Sequence, residues 1–198
     1  MESRQQRALR TKKNISETAI QLFKERGFHQ VTVDEILKIA NSSKGAFYTH
    51  FKSKHDIFFD KFKEIDDYYL DEIVEIVNKE PRCKDKLAIF FRLQMAYIEN
   101  DLGWDVVRTI YEVELNTERE SFFLIPNRPL YSILTGIFEE GQKSGELRTD
   151  LTLETMLNAC LRIMRGILYD WSLQNASFSL EEEQEILFRM MIREFMAK

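Results

Sequence analysis

Two kinds of residue are interleaved at helical spacing in Ser43-Lys44-Gly45-Ala46-Phe47-Tyr48-Thr49-His50-Phe51. Phe47 and Phe51 stand four apart, so on a helix they share one face and form an apolar anchor. Lys44, Tyr48 and Thr49 fall on the opposite side, with Gly45 in the first turn. An ammonium, a phenol and a hydroxyl on one outer face suit hydrogen bonding to phosphate oxygens and base edges. Gly45 has no side chain, so backbone there lets a partner come close. The chemistry served is recognition of nucleic acid rather than bond making. No H-E-x-x-H, no G-x-S-x-G and no phosphate-binding glycine loop occurs in the chain. His29, His50 and His55 lack metal-ligand spacing, and Cys83 and Cys160 form no C-x-x-C pair. No catalytic residue, metal or cofactor is therefore expected.

Such a helix needs a brace, and the preceding residues supply one. Thr32-Val33-Asp34-Glu35 is a capping box, with Val31 and Ile36 at the positions of a hydrophobic staple. A helix over 33–40 turns Ile36, Leu37 and Ala40 inward, and Asn41-Ser42-Ser43 makes a short polar turn ending in a new N-cap. Two short helices joined this way fit a helix-turn-helix over 32–51, whose second helix enters the major groove. A first helix over 4–26 carries Ile15, Ala19, Leu22 and Phe23 at helical spacing and closes at Gly27. Its leading basic residues are also compatible with a mobile arm. Ser53 and Asp56 suggest a further capping box for a long fourth helix. Lys54 at its start can meet a phosphate, as can Thr32 and Ser43 at their helix N-termini. Lys52, Lys54 and His55 are equally compatible with plain solvated surface.

Charge follows the same division. Residues 1–55 hold 11 Lys and Arg against 5 Asp and Glu, a net of +6, while the rest carries 17 against 28, a net of −11. Chance imbalance is the bland explanation; a segment that faces an anion is the functional one. The first residues are polar and basic without an apolar run, so no signal peptide is expected. No stretch approaches the ~18 apolar residues of a membrane span. Two widely separated cysteines suit reduced thiols in the cytoplasm.

Beyond Pro81 every strong pattern is again helical, which predicts an all-α fold of about nine helices. A three-helix helix-turn-helix domain over 1–55 is expected to precede a helical bundle over 56–198, which the resemblance given below marks as the ligand-sensing and dimerisation part. Fourth-helix positions Phe58, Phe62, Ile65, Tyr69, Ile73 and Ile76 point inward, and residues 116–129 read as a loop. Helices over 152–173 and 179–196 are apolar nearly all round, which demands burial on two sides. Either they lie centrally in a monomer, or one side meets a second copy through Met156, Cys160, Ile163, Gly166, Ile167, Leu187, Met191 and Phe195. Phe90, Phe91, Met95, Trp104, Tyr111, Phe122, Phe123, Tyr131 and Met164 suggest an apolar small-molecule pocket or simply packed core.

The stretch from Thr32 to Phe58, with Ala19-Ile20-Gln21-Leu22-Phe23-Lys24-Glu25-Arg26-Gly27-Phe28 before it, resembles the DNA-binding domain of TetR-family repressors. The resemblance covers about residues 8–62. It implies that Lys44, Gly45, Tyr48 and Thr49 approach double-stranded DNA, and that Thr32, Tyr48, His50 and Lys54 reach phosphates. His50 could instead be a buried, hydrogen-bonded histidine. The resemblance further implies a homodimer on a palindromic operator, released when an unidentified small-molecule effector enters the C-terminal domain. Ala46 departs from the polar residue common at its position in the family, which removes one phosphate contact. Activation instead of repression, or an interaction protein without a DNA site, would leave the same fold.

Overall fold

The computed structural model describes residues 3–115, 121–126 and 128–197, the side chain of Phe59 excepted. Nine helices carry these residues. They are α1 (Arg4–Arg26), α2 (Val33–Ile39), α3 (Lys44–His50), α4 (Asp56–Tyr68, continuing through Tyr69–Ile73 and Val74–Val77), and α5 (Cys83–Tyr97, continuing through Ile98–Leu102). They are followed by α6 (Trp104–Glu114), α7 (Pro129–Ser144), α8 (Leu153–Leu173) and α9 (Leu180–Phe195). The all-α expectation holds; the extended pairing among the described residues is one isolated bridge, Leu147 with Met196.

The chain divides into two compact units. Residues 1–64 and 109–122 form the first, residues 65–108 and 123–198 the second. The division falls inside α4, beyond the expected 55/56 boundary. Phe58 accounts for this: its ring stacks on Phe23 at 5.4 Å and packs on Phe28 at the same distance. Lys12 also reaches forward from α1 to Asp60 at 2.6 Å. The first turns of α4 are thus part of the N-terminal core.

In the first unit, α1 is helical from Arg4, so the basic leading residues are part of a helix and not an arm. Ser3 explains the start: its hydroxyl accepts from the Gln6 amide, and the Gln6 side chain accepts from the Ser3 amide. Gly27 ends α1 at φ +84°, a region open to glycine without a Cβ clash. Ile36, Phe47 and Phe51 are buried, as are Ile15, Ala19 and Phe23 of α1, on which α2 and α3 pack. Asn14 ties α1 to the end of α2 by donating to the Ala40 carbonyl at 2.8 Å. Phe62 stacks on Phe122 at 3.8 Å, and Phe122 belongs to a short 3-10 turn, Phe122–Leu124.

The second unit is organised about α5. Phe90, Phe91 and Met95 are fully enclosed, with Phe91 stacked on Phe188 of α9 at 3.9 Å. The widened π turn at Tyr69–Ile73 alters the expected inner face of α4. It inserts an extra residue per turn, so Val77 follows Ile73 into the core and Ile76 is 38% exposed. The expected loop over 116–129 is likewise shorter. Residues 122–124 form the 3-10 turn, and Pro129 opens α7, where its fixed φ and missing N–H suit the first helical position. Residues 116–120 and 127 lie outside the described residues.

The two-sided helices resolve into inner and outer faces. Met156, Cys160, Ile167, Met191 and Phe195 are buried within the chain itself. The 3.6-residue period explains the assignment: Met156, Cys160, Ile167 and Trp171 fall on one face of α8. Gly166 and Leu187 lie on the exposed side and Ile163 at its edge. Tyr169, Leu173, Ile186 and Met190 add to the exposed apolar surface of α8 and α9.

Candidate nucleic-acid interface

The helix-turn-helix is held by hydrogen bonds that its sequence encodes locally. Thr32 Oγ1 accepts from the Glu35 amide at 3.3 Å, and Glu35 Oε2 accepts from the Thr32 amide at 2.8 Å. The Glu35 carboxyl is held below its ordinary range, chiefly by the Thr32 amide and hydroxyl, with Arg26 adding at 3.1 Å. Asn41 turns the chain at φ +49°, a left-handed conformation that asparagine tolerates. Ser43 then caps α3 by accepting from the Ala46 amide at 3.1 Å.

On α3, Phe47 is fully buried while Tyr48 is 60% exposed. Lys44, Gly45 and Thr49 are exposed with it. The Thr49 hydroxyl donates back to the Gly45 carbonyl at 2.7 Å, which fixes its rotamer and leaves its lone pairs outward. A Cβ built on Gly45 would meet the Ser43 hydroxyl at 3.9 Å and nothing nearer. Its φ lies outside the left-handed region as well. Neither backbone conformation nor internal packing therefore requires glycine here. Yet glycine in a helix is about 0.5–1 kcal/mol less favourable than alanine.

The remaining nominated residues are placed unequally. Thr32 and Ser43 are exposed at their caps. His50 is half-buried, its ring edge-on to Phe51 at 6.3 Å. Lys54 turns inward. Its ammonium donates to the carbonyls of Phe28 at 2.6 Å and Val31 at 2.9 Å, and sits 4.2 Å from the Phe28 ring centre. Partial burial pushes its pKa down. Lys54 therefore ties the segment before α2 to the start of α4, a positioning task that its sequence context did not reveal. Sequence reasoning also missed Asp34, whose carboxylate meets Lys44 Nζ at 2.9 Å across the two helices. The ten-residue separation of Asp34 and Lys44 gives no helical spacing from which to foresee this.

The nominated pocket residues separate too. Phe90, Phe91, Met95 and Met164 are core. Tyr111 and Phe122 group with the first unit, and Trp104 with the second. Phe123 and Tyr131 line a cavity of about 650 Å³ between α7 and α8, together with Glu139, Asn158, Leu161 and Arg165. Tyr131 Oη and Arg165 Nη2 both donate to the Phe123 carbonyl at 2.6 Å, pinning the segment over this cavity. Its volume is that of ordinary small-molecule sites. A groove of about 690 Å³ between α5 and α9, lined by Ala88, Ile89, Arg92 and Phe188 among others, contains none of the nominated residues.

Comparison with known proteins follows this geometry. Residues 15–60, which hold the helix-turn-helix, match the family described as bacterial regulatory proteins, tetR family. The fatty acid metabolism regulator protein of Bacillus subtilis is 25% identical over 166 residues, covering 84% of this chain and 86% of that one. Among solved structures, the fatty acid degradation regulator FadR of Bacillus halodurans superposes with a TM-score of 0.76 at 20% identity, over 92% of this chain and 94% of its own. Thermus thermophilus FadR, a transcriptional repressor solved with lauroyl-CoA, gives 0.74 at 22% identity, over 94% and 96%. The two structural likenesses establish that the fold extends over nearly the whole chain.

Proposed function

Because the chain belongs to the tetR family of bacterial regulatory proteins, we propose that it acts in the cytoplasm as a homodimeric repressor. It holds a palindromic operator and releases it when a small molecule binds the second unit. Lys44, Gly45, Tyr48 and Thr49 enter the major groove, and Thr32, Ser43 and His50 contact the flanking backbone. Lys54 acts from behind, holding the carbonyls of Phe28 and Val31. The observation that carries this reading is Gly45, a helical glycine that nothing inside the protein requires, amid an exposed Lys, Tyr and Thr.

Dimerisation uses the outward face of α8 and α9: Ile163, Gly166 and Leu187, with Leu173, Ile186 and Met190. These residues are exposed in one chain, Ile163 only partly, and a four-helix contact would remove them from water. Two recognition helices then meet half-sites about one turn of DNA, ~34–36 Å, apart. The small molecule to screen first is an acyl-CoA, since the Thermus structure was solved with lauroyl-CoA. The cavity beside Phe123 and Tyr131 is where its contacts are to be sought.

Selection of binding sites from random duplex DNA by the purified protein tests the proposal. Enrichment of a palindrome is expected, with each half about one turn from the other. Folded, dimeric protein that enriches nothing overturns it. Leu187→Glu should give monomers in sedimentation and weaken binding to the selected palindrome.

A further inference from the structure

Lys44 is the one cation of the proposed DNA contacts that stands exposed on α3, and it is already engaged. Its ammonium lies 2.9 Å from Asp34 Oδ1 and 3.1 Å from Asp34 Oδ2. Both side chains are 67% exposed. A pair this exposed contributes little to folding. On a face meant for DNA it is also electrostatically odd, because the carboxylate repels phosphates. The lysine is held in its charged form by this neighbour. Its donors persist, but its net charge at long range is cancelled.

We propose that Asp34 is a specificity-determining positioning residue: it cancels the sequence-independent attraction of Lys44 for phosphate and steers its ammonium toward a base edge. This rests on the DNA-binding reading above. Sequence-independent attraction scales with the phosphates that cations neutralise, whereas a base contact depends on donor geometry. A lysine paired to a carboxylate keeps the second and loses most of the first. The effect is discrimination: weak hold on random DNA, with the donor reserved for a site that presents the right acceptor, such as guanine O6 and N7.

The test uses the full chain, a duplex carrying the selected site and a random-sequence duplex, with affinity measured against salt. Asp34→Asn should bind the random duplex more tightly and with a salt slope steeper by about 0.9, one neutralised phosphate. That slope makes its advantage fall by about 3.5-fold between roughly 50 and 200 mM salt. The ratio of selected-site to random affinity should drop. Asp34→Glu should keep the wild-type ratio. Lys44→Met in the otherwise wild-type chain leaves the Asp34 carboxylate unpaired, so it should weaken both duplexes, the selected site more because a base contact is lost as well. Lys44→Met removes an exposed side chain and tests the idea even if Asp34→Asn fails to fold. Equal changes on both duplexes with an unaltered slope for Asp34→Asn, or equal weakening of both duplexes by Lys44→Met, would overturn the inference. Wild-type protein that shifts no duplex would sink the DNA-binding reading and this inference together. Binding by wild type with an unresponsive Asp34→Asn sinks this inference alone.

Discussion

Gly45→Ala separates stability from recognition more cleanly than any other substitution on α3. The added methyl has room: its nearest neighbour is the Ser43 hydroxyl at 3.9 Å, an ordinary van der Waals distance. Alanine also loses less conformational entropy on folding and favours helix. The position is in the first turn, so the gain should be near the low end of the usual range, about 0.5 kcal/mol. For a domain of this size that raises the melting temperature by roughly 2–4 °C. The effect on DNA has the opposite sign. A methyl standing where backbone meets the duplex pushes the helix out and breaks at least one hydrogen bond to a charged group. Such a bond contributes about 1.5–3 kcal/mol, so affinity for the selected site should fall roughly ten- to a hundredfold. Scanning calorimetry and fluorescence anisotropy on the same preparation read both quantities. A variant that melts lower would mean that Gly45 serves the fold. A variant that melts higher and binds as well as wild type would mean that nothing approaches this backbone.

Two further predictions concern the supports of the site and the second unit. Glu35 has its folded pKa depressed below the ordinary 4.5, so its contribution to stability is present above that value and is lost as pH falls through the folded pKa. Glu35→Gln keeps an acceptor for the Thr32 amide but does not titrate, so its acid unfolding curve should be flatter below about pH 4.5; an unchanged curve would exclude this role. In the second unit, Arg128 binds Asp66 through Nη2 at 2.9 Å and Nε at 3.2 Å, with both side chains nearly enclosed. Arg128→Met leaves a buried carboxylate unpaired and should destabilise by about 3–5 kcal/mol in urea titration, whereas adding Asp66→Leu should recover most of that loss. Failure of the second change to recover stability would mean that Arg128 acts through other contacts.

What the sequence revealed followed from how local the causes are. The caps at Thr32 and Ser43 and the anchors Phe47 and Phe51 depend on residues within one or two turns, so their spacing was sufficient. The inward turn of Lys54 depends on carbonyls 23 and 26 residues earlier, and a long stem with a charged head fits either surface or interior. The π turn at Tyr69–Ile73 left no mark in residue type, so Ile76 was expected where Val77 stands. On α8 and α9 the difficulty was different. When nearly every face is apolar, periodicity says that two sides are buried without saying which side is which. Cys160 and Leu187 look equivalent in sequence, yet one is enclosed by its own chain and the other stands 42% exposed.

The charge asymmetry also bears on how the protein would recognise DNA. A net of +6 over residues 1–55 suggested a broadly attractive surface. That net already counts Asp34 and Glu35, and the folded unit shows which cations have a close partner. Lys12 meets Asp60, Arg26 meets Glu35, Lys44 meets Asp34, and Lys54 is bonded to two carbonyls. What α3 presents outward is a paired ammonium, a phenol, a hydroxyl and bare backbone. These are directional groups whose attraction does not extend beyond contact. On the reading proposed above, α3 itself gains little from phosphate charge alone and much from a matching arrangement of acceptors. Discrimination between sites, more than raw affinity, is the property this arrangement favours. In the dimer proposed above, two such helices linked through α8 and α9 would bind firmly only where both find their half-sites at once.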